Sequence, residues 1–301
     1  MAARFTLREM TSTDSEALAR LITQSPDGGR ISFSPRYHLP LYDVYTSHNS
    51  EAVVAEVAGV LGLVGAARVG FGEIQFEGRV YPYALLSSLT VHPDHRRKGI
   101  ASALAQWRID HALAKGGPET IILAYIQSGN VGSTANAKKW VSEIGGKLVN
   151  SPIPMRSNAP KLVDGITVRE ARDDELDAIA QNLNTFYQDY NFYRPQTAET
   201  LRTWLQDARL ETPINHYLVA VDRSNRLLAG LGLREASRLM SLHVEKVPLA
   251  VRLANIFLKI VPSDNEMRNL EADKLWFAPG QLEAARYLWQ TIRWQWRDRG
   301  S

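Results

Sequence analysis

Three consecutive cations, Arg96, Arg97 and Lys98, lead directly into Gly99, Ile100, Ala101 and Ser102 within the stretch VHPDHRRKGIASAL. Adjacent like charges repel, so this is either a solvated basic turn or a loop prepared for an anion. A basic turn accounts for the cations. It gives no reason for Gly99 and Ala101, two small residues spaced two apart where a helix begins. A diphosphate accounts for both features. The first N–H groups of a helix lack intrahelical partners and lie at the positive end of its dipole, a ready site for phosphate. Gly99 lets the backbone approach closely, Ala101 keeps the next position small, and the cations add charge-assisted donors.

That chemistry needs a strand before the loop and a helix after it. YPYALLSSLTV, directly upstream, reads as a strand, and Pro93 helps to end it because proline has no N–H for a ladder. GIASALAQWRIDHALAKGG reads as a long helix with Ile100, Leu104, Trp107 and Ala112 on one side and Gly116 as stop signal. Earlier in the chain, RFTLREM alternates as a strand, and TSTDSEALARLI opens a helix with Asp14 as N-cap candidate and Ala17, Leu18, Leu21 and Ile22 as its stripe. SPDGGRISFSPRYHLP reads as loop around a short helix. EAVVAEVAG and VLGLVGAARVG form a hairpin about Gly59. After the long helix, TIILAYI predicts a buried strand, NVGSTANAKKWVSEIGG a helix closed by a glycine pair, and KLVNSPIPMR a trailing strand. The order implies a mixed α/β (α+β) fold, a largely antiparallel sheet flanked by helices.

A Pro/Ser/Asn-rich segment follows, and then the pattern restarts. Thr6-Leu7-Arg8-Glu9 is matched by Thr167-Val168-Arg169-Glu170 at an offset of 161, and Ala55 and Gly65 by Ala220 and Gly230 at an offset of 165. We read a first domain over 1–156, a linker over 157–164, and an incomplete α/β copy over 165–301 that stops after its own long helix.

Composition narrows the function classes. The 301 residues contain 45% hydrophobic and 22% charged residues, the balance of a globular protein with real cores. A net charge of +3 leaves no global polycation for nucleic acid, so any anion site is local. Cysteine is absent, which removes disulfides, thiol nucleophiles and thiolate metal sites and fits a reducing cytosol. The seven histidines are scattered without ligand spacing, so no metal is expected. Neither a secretory leader nor an apolar run of membrane-spanning length is legible, and a cytoplasmic location is expected.

LTVHPDHRRKGIASAL resembles motif A of the GNAT superfamily of N-acetyltransferases, Arg/Gln-x-x-Gly-x-Gly/Ala between a strand and a helix. Arg96, Gly99 and Ala101 fill that pattern, with Val91 and Pro93 as its lead-in. The element order of residues 4–156 fits the same fold. The resemblance implies acetyl-CoA as co-substrate, its pyrophosphate on the amides from Arg97 to Ser102. It also implies a pantetheine arm paired with the main chain of Leu89, Thr90 and Val91. An amine, on a small molecule or a peptide, would be the acceptor.

The resemblance departs at the acid and base. Many members carry a carboxylate on the strand before the loop, where Ser87 and Ser88 stand here, and a tyrosine before the closing glycine, where Val141 stands. Glu73 and Tyr125 are the candidate substitutes, against the plainer readings of a surface carboxylate and a structural tyrosine. Tyr81 and Tyr83 could line an acceptor pocket or pack as strand aromatics, and His92 and His95 could support the loop. The rival reading is a non-catalytic protein that binds acetyl-CoA or uses the fold as an interaction module.

In the second copy, APGQLEAARYLW stands opposite the basic loop without its cations, and with Glu283 at the helix start. A carboxylate there repels phosphate, so no cofactor is expected. Leu249, Leu253, Ile256, Phe257 and Ile260, and then Leu288, Ile292 and Trp296, form apolar stripes at helical spacing, for which core packing is the default. Arg286, Arg293 and Arg297 interleaved with Trp289, Trp294 and Trp296 make a membrane surface the alternative. We expect the final helix to dock against the first domain or against a second chain in a homodimer.

Overall fold

Strand β3 (Ser50–Val57) shows how the first sheet is covered. Its Ala52 and Val54 join Leu18, Leu21, Leu41 and Tyr45 in one core cluster, while Val53, Ala55 and Val57 join Ile100 and Leu104 in another. Alternate side chains point to opposite faces, and both faces are buried, which is why the strand reads as one apolar run. The computed structural model describes residues 5–25, 32–46, 49–148, 153–207, 209–246, 255 and 262–299. The chain divides into two compact units, one of Met1–Ile74 with Arg79–Asn150, the other of Ser151–Ser301 with Gln75–Gly78.

The first unit holds β1 (Phe5–Glu9), α1 (Ser15–Thr23), β2 (Ser32–Tyr37), α2 (Leu41–Thr46), β3, β4 (Gly65–Phe76), β5 (Arg79–Val91), α3 (Ile100–Gly116), β6 (Ile121–Leu123) and α4 (Val131–Ala137). Its five-stranded sheet runs in the order β1-β3-β4-β5-β6. β1 and β3, and β3 and β4, pair antiparallel, whereas β6 joins β5 in parallel. Helices α1 and α2 cover one face and α3 the other. A side chain at Gly65 would approach Ile100 to 2.9 Å, so this glycine lets α3 lie close on the sheet.

The second unit repeats the plan with β7 (Thr167–Glu170), α5 (Leu176–Phe186), α6 (Ala198–Leu205), β8 (Asn215–Val221), β9 (Leu227–Arg234), β10 (Met240–Lys246), β11 (Glu266–Met267), β12 (Glu271–Phe277) and α7 (Leu282–Gln295). Its main sheet is four-stranded, β7-β8-β9-β12. Tyr217, Val219 and Val221 face α5 and α6; Leu218 and Ala220 face α7. The registers agree as well. Leu7 pairs with Ala55 and Val168 with Ala220, the same pairing at the two sequence offsets. Arg8 grips Asp14 with two bonds of 2.7 and 2.8 Å, and Arg169 grips Glu175 with 2.8 and 2.6 Å. Each acid also accepts the N–H three residues before it, from Thr11 and Arg172, at 2.8 Å.

Several expectations need correction. Asp14 is the N-cap residue of α1 as expected, but its carboxylate makes no cap bond to that helix and instead closes the turn before it. SFSPRY forms strand β2 rather than loop. Gly116 lies within α3, which is closed by Gly117 with a positive φ of 80°. TIILAYI gives only the three residues of β6, and α4 ends at Ala137, well short of the glycine pair. No trailing strand forms over 147–148 or 153–156. Pro154, which has no N–H to offer a ladder, instead accepts from Arg293 at 2.6 Å, and Met155 packs beside α7. The apolar stripe Leu249–Ile260 lies outside the described residues.

The apolar stripe of α7 packs within its own unit. Leu288, Ile292 and Trp296 are buried against Leu218, Ala220, Leu231 and Leu233 of its own sheet. Arg293, Arg297 and Arg299 lie over Trp289, Trp294 and Trp296. The stripe is core. Among the described residues no helix is long and apolar enough to cross a membrane.

Candidate active site

β5 and β6 touch over three pairs, Tyr83–Ile121, Ala84–Ile122 and Leu85–Leu123. β6 then ends while β5 runs on to Val91, so the strands part. A cavity of about 380 Å³ opens in that gap. Leu86–Thr90 form one wall and Ala124–Gln127 the other, with Tyr37, Tyr45 and the end of α1 above and Asn136, Ala137 and Trp140 beside them. Within this stretch Ser88 takes a left-handed backbone (φ 53°), which marks an irregularity in β5 of the kind that re-aims peptide groups. The Ser88 and Tyr45 side chains are hydrogen-bonded. Burial raises the pKa of the Tyr45 hydroxyl well above its ordinary value, and that of Tyr37 less so, so both stay protonated donors.

The basic loop leaves β5 through a 3-10 turn at Pro93–His95, in which the Asp94 N–H donates to His92 Nδ1. Arg97 (φ 62°) and Gly99 (φ 85°) are both left-handed, and Gly99 is the N-cap of α3. A Cβ on Gly99 would meet no protein atom, so it is the backbone angle that demands glycine here, and its outer face is open. The first bond of the helix is Ala103 N–H to Gly99 O at 3.0 Å, which leaves the amides of Ile100, Ala101 and Ser102 without helical partners. Arg96 Nε folds back onto Val91 O at 3.2 Å, while Arg97 and Lys98 are exposed and have no carboxylate partner among the described residues. Burial first, and then the Lys98 charge, lowers the pKa of the His95 imidazole. The positive charge of the loop therefore comes from its Arg and Lys side chains.

Helix α4 brings residues that sequence reasoning missed. Asn136, buried, donates from Nδ2 to Ala101 O at 3.3 Å and accepts from Ser102 Oγ at 3.1 Å, and it also lines the cavity. Lys139 Nζ donates to Ser102 Oγ at 2.8 Å and sets a fourth cation at the start of α3. Arg108 was also overlooked, although its spacing gave it away. It continues the period Ile100, Leu104, Ala112 on the core face of α3, and a cation in an apolar stripe asks for an explanation.

Of the residues proposed for the cofactor, Leu89 and Thr90 line the cavity. Val91 packs beside the core and Ile100 is buried in it, so Ile100 offers only its backbone. Arg96, Arg97, Lys98, Gly99, Ala101 and Ser102 gather at the helix start, linked to the cavity through Asn136. Tyr125 stands on the cavity wall, 64% exposed. Glu73 does not join them: it is exposed on β4 and lines no part of the cavity. Tyr83 is buried against Gly72, and Tyr81 lies under Arg79. No group of His, Asp or Glu able to hold a metal occurs among the described residues. At the corresponding end of α7 the loop offers Gln281 as N-cap and Glu283 in the first turn, with no cation.

Residues 19–140 match the model of the acetyltransferase (GNAT) family. No curated protein matches the chain. Among solved structures, Saccharomyces cerevisiae N-myristoyltransferase with bound myristoyl-CoA is similar over 98% of this chain and 70% of its own, at 8% identity and a TM-score of 0.61. A GCN5-related N-acetyltransferase from Kribbella flavida is similar over 97% of this chain and 61% of its own, at 16% identity and a TM-score of 0.55. A glucosamine N-acetyltransferase region of a fungal multi-domain GH3 β-N-acetylglucosaminidase is similar over 99% and 35%, at 14% identity and a TM-score of 0.58. At these identities the likeness is one of fold.

Proposed function

Residues 19–140 belong to the GNAT acetyltransferase family, and from that premise we propose that the first unit is an acetyl-CoA-dependent N-acetyltransferase. The observation that carries this reading is the continuity between two features. A cavity opens where β5 and β6 part, and Asn136 joins it to a helix start with free amides and four nearby cations. A long thioester with a diphosphate at one end fits that pair of features. The amides of Ile100, Ala101 and Ser102, with Arg97, Lys98 and Lys139, would hold the pyrophosphate. The main chain of Leu89, Thr90 and Val91 would pair with the pantetheine arm, because β5 has no β6 neighbour there.

Bound acetyl-CoA supplies an activated acyl group. The chain orients an amine against the thioester carbonyl, and a β5 N–H beyond the split is placed to donate to the oxygen that becomes negative. The new C–N bond forms as the C–S bond breaks, and the amine proton passes to solvent. Tyr125, on the wall and open to water, is the group we assign to protonate the departing thiolate. We further propose that residues 165–301, within the second unit, are a degenerate copy of the same fold that binds no cofactor.

One observation favours a second reading. Among the described residues, those lining the cavity include no Asp, Glu or His to act as a strong general base. A protein that binds acetyl-CoA without turning it over would look the same. Thiol release from acetyl-CoA, followed with a panel of amines, separates the two. Amine-dependent release is expected; tight binding with no release for any amine would favour the binding protein.

A further inference from the structure

Arg108 is 3% exposed, sits on the core face of α3 and lines the cavity. No carboxylate faces it among the described residues. Its Nε donates to Leu104 O at 3.1 Å, and Nη1 makes two longer contacts, 3.2 Å to Ser87 O and 3.4 Å to Arg68 O. Nη2 has no protein partner among the described residues. Burial lowers its pKa to about 10, which still leaves it charged at neutral pH. A buried cation held only by neutral carbonyls is costly unless an anion completes it.

The rest of the cavity sharpens the point. Among the described residues that line it, Arg108 is the one charged side chain; the others are apolar groups, hydroxyls and amides. An acceptor with several positive charges would therefore meet a like charge and no carboxylate. The diphosphate of the co-substrate is not the missing anion either. Arg108 lies six to eight residues past Ser102, Ala101 and Ile100, about 9–12 Å along the helix from the amides that would hold it.

We propose that the acceptor is a small zwitterionic amine, one that carries a carboxylate beside its amino group, and that Arg108 recognises this carboxylate. The inference rests on the first unit being the transferase, and it assigns the class of molecule that the cavity accepts. A guanidinium and a carboxylate in a dry site make strong paired bonds, so loss of the carboxylate should be felt sharply.

The test uses matched probes: the twenty common amino acids, their carboxamides, and spermidine, with the full-length protein. Thiol release from acetyl-CoA is one readout, and thermal stabilisation by each probe in the presence of coenzyme A is the other. Acids should exceed their amides by about tenfold or more in kcat/KM, and spermidine should be a poor acceptor. Arg108→Met should remove the preference and Arg108→Lys should keep part of it. If Arg108→Met does not fold, the acid-against-amide comparison on the wild type still decides. Acids that stabilise the protein selectively but never react would sink the transferase and leave this recognition standing. Amides or spermidine equal to the acids, or no probe with any effect in either readout, would overturn it.

Discussion

Helices α3 and α7 hold the same place in their units, each packed on the face of its sheet opposite two shorter helices, and they begin in opposite ways. α3 follows Arg96-Arg97-Lys98 and a left-handed N-cap glycine, with Lys139 bonded to Ser102 at its first turn. α7 follows Gly280, one residue earlier in register, with Gln281 as N-cap and Glu283 in the first turn. Both helices have unpaired amides and the same dipole, so a helix start alone does not make a phosphate site. What separates them is the sign of the side-chain charge. The scaffold is common to both units, and the cationic loop belongs to one of them.

The sharpest way to break that comparison is paired substitution. Gly99→Glu puts a carboxylate at the proposed diphosphate site and should weaken acetyl-CoA binding by ~100-fold or more, with the far-UV spectrum unchanged. Gly280→Glu should leave binding as it was. Gly99→Ala separates the two roles of the glycine: the left-handed angle costs ~1–2 kcal/mol of stability, whereas affinity should fall less than with Glu.

A smaller effect is expected from neutralising Arg97 and Lys98 together. Affinity should drop by about tenfold, since each charge-assisted bond contributes roughly 1.5–3 kcal/mol at most and these are exposed. The dependence of binding on salt should become shallower at the same time. An unchanged salt slope would remove the cations from the account.

Asn136→Ala tests whether α4 is clamped to α3. Losing its two bonds to Ala101 and Ser102 should lower the thermal stability of the first unit by about 1–2 kcal/mol, and hydrogen exchange over 131–137 should rise.

The smallest effect concerns the turn that both units share. Arg8 lowers the pKa of the Asp14 carboxyl from 3.8 to about 2, chiefly by its hydrogen bonds, and Arg169 lowers that of Glu175 in the same direction. A depressed folded value stabilises the protein above the ordinary carboxylate range, and the contribution is lost as pH falls from about 4 towards 2. Asp14→Asn should flatten acid unfolding of the first unit over that window, measured by fluorescence against pH. Glu175→Gln should do the same in the second unit, by less.

Much of this arrangement was legible because it is local. Gly99 needs a left-handed angle, the cations announce an anion, and β3 alternates with period two, so the sequence alone suffices for the loop, the helix and the strand. The matching strand runs of the two units were visible for the same reason. What escaped depends on distant partners. Lys139 and Asn136 lie more than thirty positions from Ala101 and Ser102, and nothing in NAKKW says that they fold onto α3. The short β6, and the lack of strand over 147–148 and 153–156, depend on which neighbours are there to pair with, not on apolar content. Glu73 has the right chemistry but stands exposed on β4, outside the cavity lining. The stripe of α7 suggested an external partner, because the sheet that covers it is built from residues some seventy positions away.

Calorimetric titration of the full-length chain with acetyl-CoA puts the asymmetry between the two units to the most direct test. The account predicts one site per chain, weakened as salt rises, abolished by Gly99→Glu and untouched by Gly280→Glu. Two sites per chain, or a single site that survives Gly99→Glu, would contradict it.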